Sequence, residues 1–411
     1  MSVGCCRFCD AELAQSFCDL GMSPLSNAYL DAAALHHMEP FYPLHAYVCS
    51  NCFLVQLEEF ESPQHIFGDY AYFSSYSESW LKHAETYAET MVKRFALGTQ
   101  SQVIEIASND GYLLQYFKTR GVPVLGIEPA DNVARVAVEK GIPSRVEFFG
   151  TEAARKLIAE GVRADLLLGN NVLAHVPSLN DFVAGMKVLL APNGLITMEF
   201  PHLLRLMREN QFDTIYHEHF SYFSLLTVKQ IFVQHGLELF DVEELPTHGG
   251  SLRIYASHVE DQTKAHTGAV SRLILAERDA GLDHPETYAA FADQVRETKR
   301  QLLEFLIAAK RAGKRIAAYG AAAKGNTLLN YCGVRGDFID YVVDRSPHKQ
   351  GRYLPGTHLP IFHPDHVRET KPDYLLILPW NIKDEIVGQM AHIRDWGGRF
   401  VVPIPKVEVI P

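Results

Sequence analysis

The sequence predicts an α/β protein in which a small cysteine-rich domain precedes two domains built on doubly wound parallel sheets. Six of the seven cysteines fall within the first 52 residues. Apolar runs alternate with helical patterns from residue 102 to about residue 199, and a second, shorter alternation begins at residue 315. Strands that alternate with helices form parallel sheets with helices packed on both faces.

Composition and charge describe an ordinary globular chain. Its 411 residues suggest two to four domains, at roughly 150 residues each. Hydrophobic residues make up 47%, and no apolar run reaches the length of about 18 residues that spans a bilayer. The formal charge of −11 disfavours nucleic acid and anionic lipid as partners. The first five residues lack the basic and apolar regions of a signal peptide, so we expect a cytoplasmic protein.

The clustered cysteines include two CxxC pairs, Cys6 with Cys9 and Cys49 with Cys52. Four thiolates in this pattern surround zinc tetrahedrally and leave no open position, so we expect a structural zinc ion. The segment from Leu20 to Tyr47 must then fold back as an inserted loop. Two coincidental pairs or a redox dithiol are the alternatives, and Cys5 is an alternative ligand to Cys6.

The remaining elements follow in order. An aromatic-rich segment, residues 60–79, precedes an amphipathic helix over residues 80–97, and residues 267–312 are almost purely helical in pattern. We predict strands at residues 103–107, 124–128, 164–169, 195–199, 237–242, 252–257, 315–320, 338–343, 374–378 and 400–403. The expected divisions are a zinc-binding domain (1–65), a second domain (66–258), a helical connector (259–312) and a C-terminal domain (313–411).

The second strand of the first parallel sheet ends in Glu128. A carboxylate there accepts hydrogen bonds from two ribose hydroxyls, which indicates an adenosine-type ligand. In the turn after the first strand, only Gly111 remains of a glycine series whose other positions are Ala107 and Asn109. A dinucleotide pyrophosphate needs close backbone approach, so NAD is disfavoured, whereas S-adenosylmethionine has no phosphate. Alternatively, Glu128 caps a helix.

A glycine-rich turn follows the first strand of the C-terminal sheet, from Gly320 to Thr327. Asn326 stands where a P-loop carries lysine, so ATP hydrolysis is not indicated. Small residues that open a helix beside Lys324 would still suit a phosphate group. The alternative is a tight turn with a solvated lysine.

The densest set of titratable residues is the string 212–223, which contains Tyr216, His217, Glu218 and His219, together with His175 after the third strand. Histidine, glutamate and tyrosine side by side can supply a general base, a group that fixes its tautomer and a donor to an oxyanion. A zinc site is weakly indicated, because the spacing is not HExxH. A buried polar cluster without catalysis is the structural alternative.

These strings resemble the sugar C-methyltransferases of deoxysugar biosynthesis, such as the dTDP-3-amino-4-keto-sugar C-3 methyltransferase of the tetronitrose pathway. The resemblance covers essentially the whole chain. It is carried by the two CxxC pairs and by the strings at 105–111, 171–177, 216–222, 248–253 and 344–352. It implies a zinc-binding domain, a class I (Rossmann-like) S-adenosylmethionine domain and a C-terminal Rossmann-like domain that binds the nucleotide sugar.

The resemblance also implies site residues. The implied catalytic residues are His175, Tyr216, Glu218, His219 and Tyr72, with Tyr70 and Tyr76 as rivals of Tyr72. The expected residues around S-adenosylmethionine are Glu105, Ala107, Asn109, Gly111, Glu128, Pro129, Asn170 and Asn171. The expected residues around the sugar nucleotide are Tyr70, Tyr76, Tyr222, Arg253, Lys324, Asn326, Arg345 and Lys349.

The implied reaction is methylation of a carbon next to a ketone in a nucleotide-diphosphate keto-deoxysugar, most readily a dTDP sugar, within an antibiotic pathway. We expect His219 to remove the proton while Glu218 or a neighbour orients it. Tyr216 and His175 would donate to the enolate oxygen, and Tyr72 would close over the sugar. We expect a monomer with no nucleic-acid or membrane partner. The alternatives are a noncatalytic zinc-bearing sensor and, less favoured, a methyltransferase that acts on oxygen, nitrogen or tRNA.

Overall fold

The computed structural model describes residues 4–67 and 73–411. Within these residues the strands form three sheets of four, seven and six strands, and helices pack against the two larger sheets. The predicted fold class is therefore confirmed. No helix in the described ranges combines the length and the apolar composition that crossing a membrane requires.

The N-terminal sheet is antiparallel and was not predicted from the sequence. Its strands are β1 Gln15–Ser23, β2 Tyr42–Val48 and β3 Val55–Leu57, and a short helix, α1 Pro63–Phe67, follows. The fourth strand of this sheet is Ser221–Tyr222, contributed by the second domain, which pairs with β3. The segment between β1 and β2 is the inserted loop that the cysteine spacing requires.

The second domain carries the seven-stranded sheet. Its strands are β4 Val103–Ile106, β5 Val124–Ile127, β6 Ser144–Arg145, β7 Ala164–Asn170, β8 Leu190–Pro201, β9 Ser221–Tyr222, β10 Leu237–Leu245 and β11 Ser251–His258, of which β9 belongs to the N-terminal sheet. Its helices are α2 Glu78–Phe95, α3 Leu114–Lys118, α4 Asp131–Glu139, α5 Thr151–Ala159, α6 Leu179–Leu189, α7 Leu203–Arg208 and α8 Leu225–Gln234.

The order of the seven strands is β10-β11-β8-β7-β4-β5-β6. Adjacent strands are parallel except where β11 pairs with β8 and β10. The strand order changes direction at β4, and ligands of open α/β sheets bind at the carboxyl ends of the strands beside such a point.

The turn after β4 forms although it lacks two of the three glycines of the series. Ala107, Asn109 and Gly111 have φ values of 56°, 49° and 75°. Asparagine tolerates this left-handed conformation, whereas alanine adopts it at a cost of about 1 to 2 kcal/mol. A Cβ added at Gly111 would lie 2.9 Å from the Ile142 side chain, so only glycine fits there.

Three helices connect the second domain to the third: α9 Ala269–Asp279, α10 Pro285–Ala289 and α11 Phe291–Arg311. The sequence predicted a nearly unbroken helical stretch. The break follows from Gly281, which has a φ of 80°, and from Pro285, which begins α10. The ring of Phe291 stacks on Phe17 of β1 with centroids 4.7 Å apart, so the connector shares a core with the N-terminal sheet.

The C-terminal domain is a second open sheet with strand order β14-β13-β12-β15-β16-β17. Its strands are β12 Ile316–Tyr319, β13 Val342–Val343, β14 Ile361–Phe362, β15 Tyr374–Ile377, β16 Arg399–Val402 and β17 Glu408–Ile410, and its helices are α12 Ala323–Cys332, α13 His366–Thr370 and α14 Lys383–Gln389. All neighbours are parallel except β16 and β17. The carboxyl end of β12 faces the second domain, where the candidate site lies.

Candidate active site

The four cysteines of the two CxxC pairs converge in the N-terminal domain. Their sulfur atoms all lie within 4.8 Å of one another, with Cys6 Sγ 3.6 Å from Cys52 Sγ and Cys9 Sγ 3.5 Å from Cys49 Sγ. Four sulfurs at about 2.3 Å from zinc would be about 3.8 Å apart, so the arrangement fits a tetrahedral zinc site. Cys5 is exposed and lies outside the group. Four thiolates make the zinc ion structural.

A cavity of about 630 Å³ opens at the carboxyl ends of β4, β5 and β7 and extends to the C-terminal domain. Its lining includes residues of the turns after these strands, of the segment 214–219, of the start of α12 and of the N-terminal insertion, which contributes Asn27. Three domains therefore contribute to one cavity. A single ligand at the strand ends of the second domain would lie within reach of the third.

Glu128 lies at one end of this cavity and is 5% exposed. Its Oε2 accepts the backbone N–H of Asn109 at 2.9 Å, and its Oε1 accepts that of Ala130 at 2.9 Å. Burial raises the pKa of this carboxyl group, although the two N–H donors lower it. The carboxylate thus links the turn after β4 to the end of β5 at the cavity wall.

The same end of the cavity fits S-adenosylmethionine. Both amide atoms of Asn170 lack a hydrogen-bond partner among the described residues, although they are buried. Buried polar atoms without partners are uncommon and indicate a missing ligand or water. Phe149, whose ring packs edge-on against Phe182 at 5.4 Å, provides an apolar wall suited to a purine. Ala107, Pro129 and Asn171 complete this part of the lining.

His219 lies deeper in the cavity, where two hydrogen bonds fix its tautomer. Its Nδ1 lies 2.9 Å from the main-chain oxygen of Thr214, which can only accept, so Nδ1 carries the proton. The lone pair of Nε2 therefore accepts the hydroxyl of Tyr216 at 2.8 Å. Burial, followed by the neighbouring His175, holds the pKa of His219 well below its usual range. The imidazole is a neutral, oriented proton acceptor.

Two further histidines, His175 and His248, line the cavity together with His219 and Tyr216. The ring of His175 meets that of His219 edge-on at 4.7 Å and donates to the main-chain carbonyl of Glu218. His248 Nε2 accepts from Asn171 Nδ2 at 3.0 Å. Burial lowers the pKa of both His175 and His248 to about 4, so both are neutral at neutral pH.

The sequence left open whether Glu218 or a neighbour orients His219, and Glu218 itself contacts the N-terminal insertion. Its Oε1 accepts Asn27 Nδ2 at 2.6 Å, across 191 residues of sequence. The acceptor that orients His219 is instead the Thr214 carbonyl. Glu218 remains part of the cavity lining and is 4% exposed.

The far end of the cavity is cationic. Lys324 Nζ lies 2.9 Å from Asn381 Oδ1 and 4.8 Å from the ring centroid of Trp380. Burial lowers the pKa of Lys324, while the charge of Asp213 raises it. Lys349 Nζ donates to the Ala321 carbonyl at 2.8 Å. Both lysines line the cavity beside the first residues of α12.

Twelve of the predicted site residues line the cavity: His175, Tyr216, Glu218, His219, Ala107, Asn109, Glu128, Pro129, Asn170, Asn171, Lys324 and Lys349. Glu105 and Gly111 are buried behind its wall. Tyr70 and Tyr72 lie outside the described residues.

Five residues that were assigned to the sugar nucleotide lie outside the lining of this cavity. Tyr76 is 57% exposed and contacts His348, and Arg345 is exposed beside Glu385. Arg253 is 5% exposed, and its guanidinium is held by Glu199 at 2.9 Å and Glu243 at 3.1 Å. The side chains of Tyr222, on β9, and Asn326, inside α12, are also buried.

Sequence reasoning missed several residues of the site. Thr214, His248 and Asn381 line the cavity, as do Asn27 and the aromatic residues Phe148 and Phe149. His248 lies within the string 248–253, which resembles the family, so the sequence could have indicated it as a site residue. Nothing in the sequence around Asn27 indicates its role, because its partner is remote in the chain.

Comparisons with known proteins agree with this architecture. Three family models match: "Putative zinc binding domain" over residues 6–67, a methyltransferase domain over 80–242 and a C-methyltransferase C-terminal domain over 246–405. The C-methyltransferase NovU of Streptomyces niveus is 35% identical over 405 residues, which cover 98% of this chain and 96% of NovU. The similarity therefore extends through all three domains.

Solved structures resemble part of the chain. A magnesium protoporphyrin IX methyltransferase of Synechocystis PCC 6803, solved with bound SAM, matches 47% of this chain and 88% of its own at 13% identity and a TM-score of 0.34. The CcbJ methyltransferase of Streptomyces caelestis matches 43% of this chain and 89% of its own at 12% identity and a TM-score of 0.34. On the full-length identity to NovU and the matched domains, this chain belongs to the C-methyltransferase family and uses S-adenosylmethionine.

Proposed function

We propose that this enzyme methylates the carbon next to a ketone in a nucleotide-linked keto-deoxysugar, by removing a proton from that carbon and transferring a methyl group to the enolate. The observation that carries the proposal is the neutral His219, whose Nε2 lone pair faces the cavity residue Tyr216. A carbon next to a ketone is a weak acid, so its methylation needs both a base and a donor to the enolate oxygen.

The two roles divide between the hydrogen-bonded partners. His219 Nε2 accepts the proton from carbon and becomes imidazolium, while its Nδ1–H stays bonded to the Thr214 carbonyl. The Tyr216 hydroxyl, released from Nε2, then donates to the enolate oxygen. His175 packs against His219 and keeps water from that side of the imidazole.

Lys324 supplies positive charge to the same cavity. Burial is the main cause of the lowered pKa of both His219 and His248, and the positive charge of Lys324 lowers it further. The same charge would stabilise a negative enolate in this cavity. In a buried site such fixed charge acts more strongly than in water.

The cationic end of the cavity suits the diphosphate of a sugar nucleotide. Lys324 and Lys349 lie there beside the N-terminus of α12, which has no side-chain cap. Backbone N–H groups at a helix start and nearby ammonium groups bind phosphate. The family resemblance found in the sequence makes dTDP the expected carrier.

When bound, S-adenosylmethionine supplies an electrophilic methyl group at its sulfonium. Glu128 would accept the ribose hydroxyls, and the Asn170 amide would bind the polar atoms of the methionine part. These residues would hold S-adenosylmethionine on one side of the cavity and leave the side nearest His219 for the sugar. In-line transfer then requires the two carbons about 3 to 3.5 Å apart.

The test is deuterium exchange without methyl transfer. The wild-type enzyme, given S-adenosylhomocysteine and a panel of dTDP-4-keto-6-deoxy sugars in deuterated water, should exchange the proton next to the ketone. His219→Asn should lower the exchange rate by about 100-fold or more, and Tyr216→Phe should lower it less. The matched control is His217→Asn, because the His217 imidazole faces the Pro43 carbonyl at 3.1 Å and lies outside the cavity lining.

Two outcomes contradict the proposed function, and one reverses the roles of His219 and Tyr216. No exchange and no methylated product with any sugar of the panel would favour a sensor. Full exchange in His219→Asn combined with none in Tyr216→Phe would make the ionised tyrosine the base. Methylation of an oxygen or nitrogen atom, seen by mass spectrometry of the product, would exclude the enolate route.

A further inference from the structure

The tautomer of His219 depends on one main-chain carbonyl, that of Thr214. Thr214 lies in a 3₁₀ turn, Phe212–Thr214, and its oxygen accepts the Nδ1–H of His219 at 2.9 Å. A main-chain carbonyl points where its backbone directs it. The tautomer of His219 therefore depends on what holds residues 212–215, which we call the Thr214 turn.

The C-terminal domain holds the Thr214 turn on both sides of Thr214. The indole N–H of Trp380 donates to Asp213 Oδ2 at 2.8 Å. The hydroxyl of Thr327, in α12, donates to the Ile215 carbonyl at 3.0 Å. Trp380 is 8% exposed and the other three residues at most 1%, so water does not readily replace either bond.

Trp380 is itself closely packed. A Cβ added at Gly249, which has a φ of 91°, would lie 2.5 Å from the indole ring, so the ring lies against the Gly249 backbone. On another face, Lys324 Nζ lies 4.8 Å from the ring centroid. The ring is thus fixed between the second domain and the start of α12, and its N–H has a defined direction.

We propose that Trp380 and Thr327 are positioning residues for His219: by holding Asp213 and Ile215, they aim the Thr214 carbonyl at Nδ1 and keep Nε2 free of a proton. The expected effect on activity rests on the proposed function of His219. The effect on the tautomer of His219 does not depend on that function. It assigns the C-terminal domain a part in preparing the base, in addition to any contact with substrate.

The experiment compares Trp380→Phe and Thr327→Val with Trp396→Phe. The Trp396 variant is a matched control, because it removes an indole donor to a main-chain carbonyl, that of Pro372 at 3.0 Å, in the same domain but away from the Thr214 turn. Nitrogen-15 NMR of histidine-labelled protein reports the tautomer of His219, whose signals are identified by their loss in His219→Asn. Calorimetry with S-adenosylhomocysteine and thermal melting report the cofactor site and the fold.

Wild type and Trp396→Phe should show the single neutral tautomer protonated at Nδ1. Trp380→Phe and Thr327→Val should show a second tautomer or exchange-broadened signals, with affinity for S-adenosylhomocysteine within about twofold of wild type. Their turnover with the best sugar of the panel should fall by roughly tenfold at little changed KM, because small misplacements of a catalytic group are costly.

Unchanged His219 signals in folded Trp380→Phe and Thr327→Val would overturn the inference, and so would an equal disturbance in Trp396→Phe. If Trp380→Phe does not fold, Thr327→Val decides the question, since it removes a hydroxyl donor at nearly constant volume. A changed tautomer, accompanied by wild-type deuterium exchange in His219→Asn, would keep the positioning role and reject His219 as the base.

Discussion

At His219, burial sets the protonation state that the reaction needs. The pKa of the group lies well below its usual range because the imidazole is desolvated and lies near His175 and Lys324. The base form is the neutral one, which is lost only as the pH falls through the lowered pKa. Turnover should therefore remain constant from pH 8 down through pH 6, measured with the best sugar of the panel at saturating S-adenosylmethionine.

A second variant, Lys324→Met, tests one cause of the lowered pKa of His219. It removes a positive charge near His219 and leaves an apolar side chain of similar length. Its acid limb should move to higher pH, because the charge of Lys324 lowers the pKa of His219. A wild-type acid limb centred at or above pH 6.5, the ordinary histidine value, would contradict the prediction.

Glu128 is the second residue with a definite expected effect. Glu128→Ala should weaken S-adenosylhomocysteine binding by about 1.5 to 3 kcal/mol, the range for a hydrogen bond to a charged group. Calorimetry measures this loss of binding free energy. Asp131→Ala is the control, because Asp131 lies three residues away, pairs with Arg135 and is 62% exposed. Equal affinity in wild type and Glu128→Ala would place the cofactor elsewhere.

The sequence was informative about residues whose chemistry follows from position along a strand. Glu128 was identified because it ends the second parallel strand, and the cysteines because their spacing matches a zinc site. Arg253 was assigned to the sugar nucleotide as a basic residue, but charge alone does not show whether a partner is present, and here Glu199 and Glu243 hold its guanidinium. Residues such as Trp380 could not be identified, because their effect passes through the main chain of a remote turn.

Among the elements, the insertion between β1 and β2 has a function that its sequence does not indicate. It carries Asn27 to Glu218 in the cavity, and Tyr29, whose hydroxyl donates to the Ala321 carbonyl at 2.6 Å. The N-terminal domain thus reaches both the second domain and the start of α12. The insertion therefore forms part of the wall of the candidate active-site cavity.

Asn27→Ala should lower turnover by roughly tenfold, because the Glu218 carboxylate loses a hydrogen bond of the charge-assisted kind. Affinity for S-adenosylhomocysteine should be unchanged. Asp31→Ala is the control in the same insertion, since its carboxylate accepts the Ala34 N–H at 2.8 Å outside the cavity. Wild-type turnover in Asn27→Ala would show that activity does not require the hydrogen bond from Asn27 to Glu218.

Parallel strands were predictable because they are short apolar runs separated by helical patterns. The N-terminal sheet was missed for a physical reason: β1 alternates imperfectly and includes irregular pairing with β2. Strand β9 is two residues long and exists because β3 offers it a partner. Such elements depend on tertiary pairing rather than on local pattern.

Across the whole molecule, the candidate active-site cavity depends on contacts between residues far apart in the chain. Asn27 and Glu218 are 191 positions apart, and Trp380 and Asp213 are 167 positions apart. A single sequence predicts each domain but not which faces meet. The shared core of the N-terminal sheet, the connector and the C-terminal sheet brings these residues together.

This arrangement predicts that loss of zinc lowers turnover, although the four cysteines lie outside the cavity lining. Strand β3 follows the second CxxC pair and binds β9, which begins two residues after His219. Zinc held by four thiolates contributes on the order of 10 kcal/mol to local folding at neutral pH. Losing it should loosen both β3 and the insertion that carries Asn27.

Cys49→Ser, or chelation of the wild-type protein, should therefore lower the melting temperature by at least about 5 °C and increase hydrogen exchange in residues 4–57 and at β9. Turnover should fall with zinc content, because the Asn27 contact to Glu218 is lost with the insertion. Cys5→Ser is the control: Cys5 is exposed and outside the cluster, so one zinc per chain and the wild-type melting temperature should remain. Folded, fully active protein in which elemental analysis finds no zinc would contradict both the presence of the metal and the dependence of turnover on it.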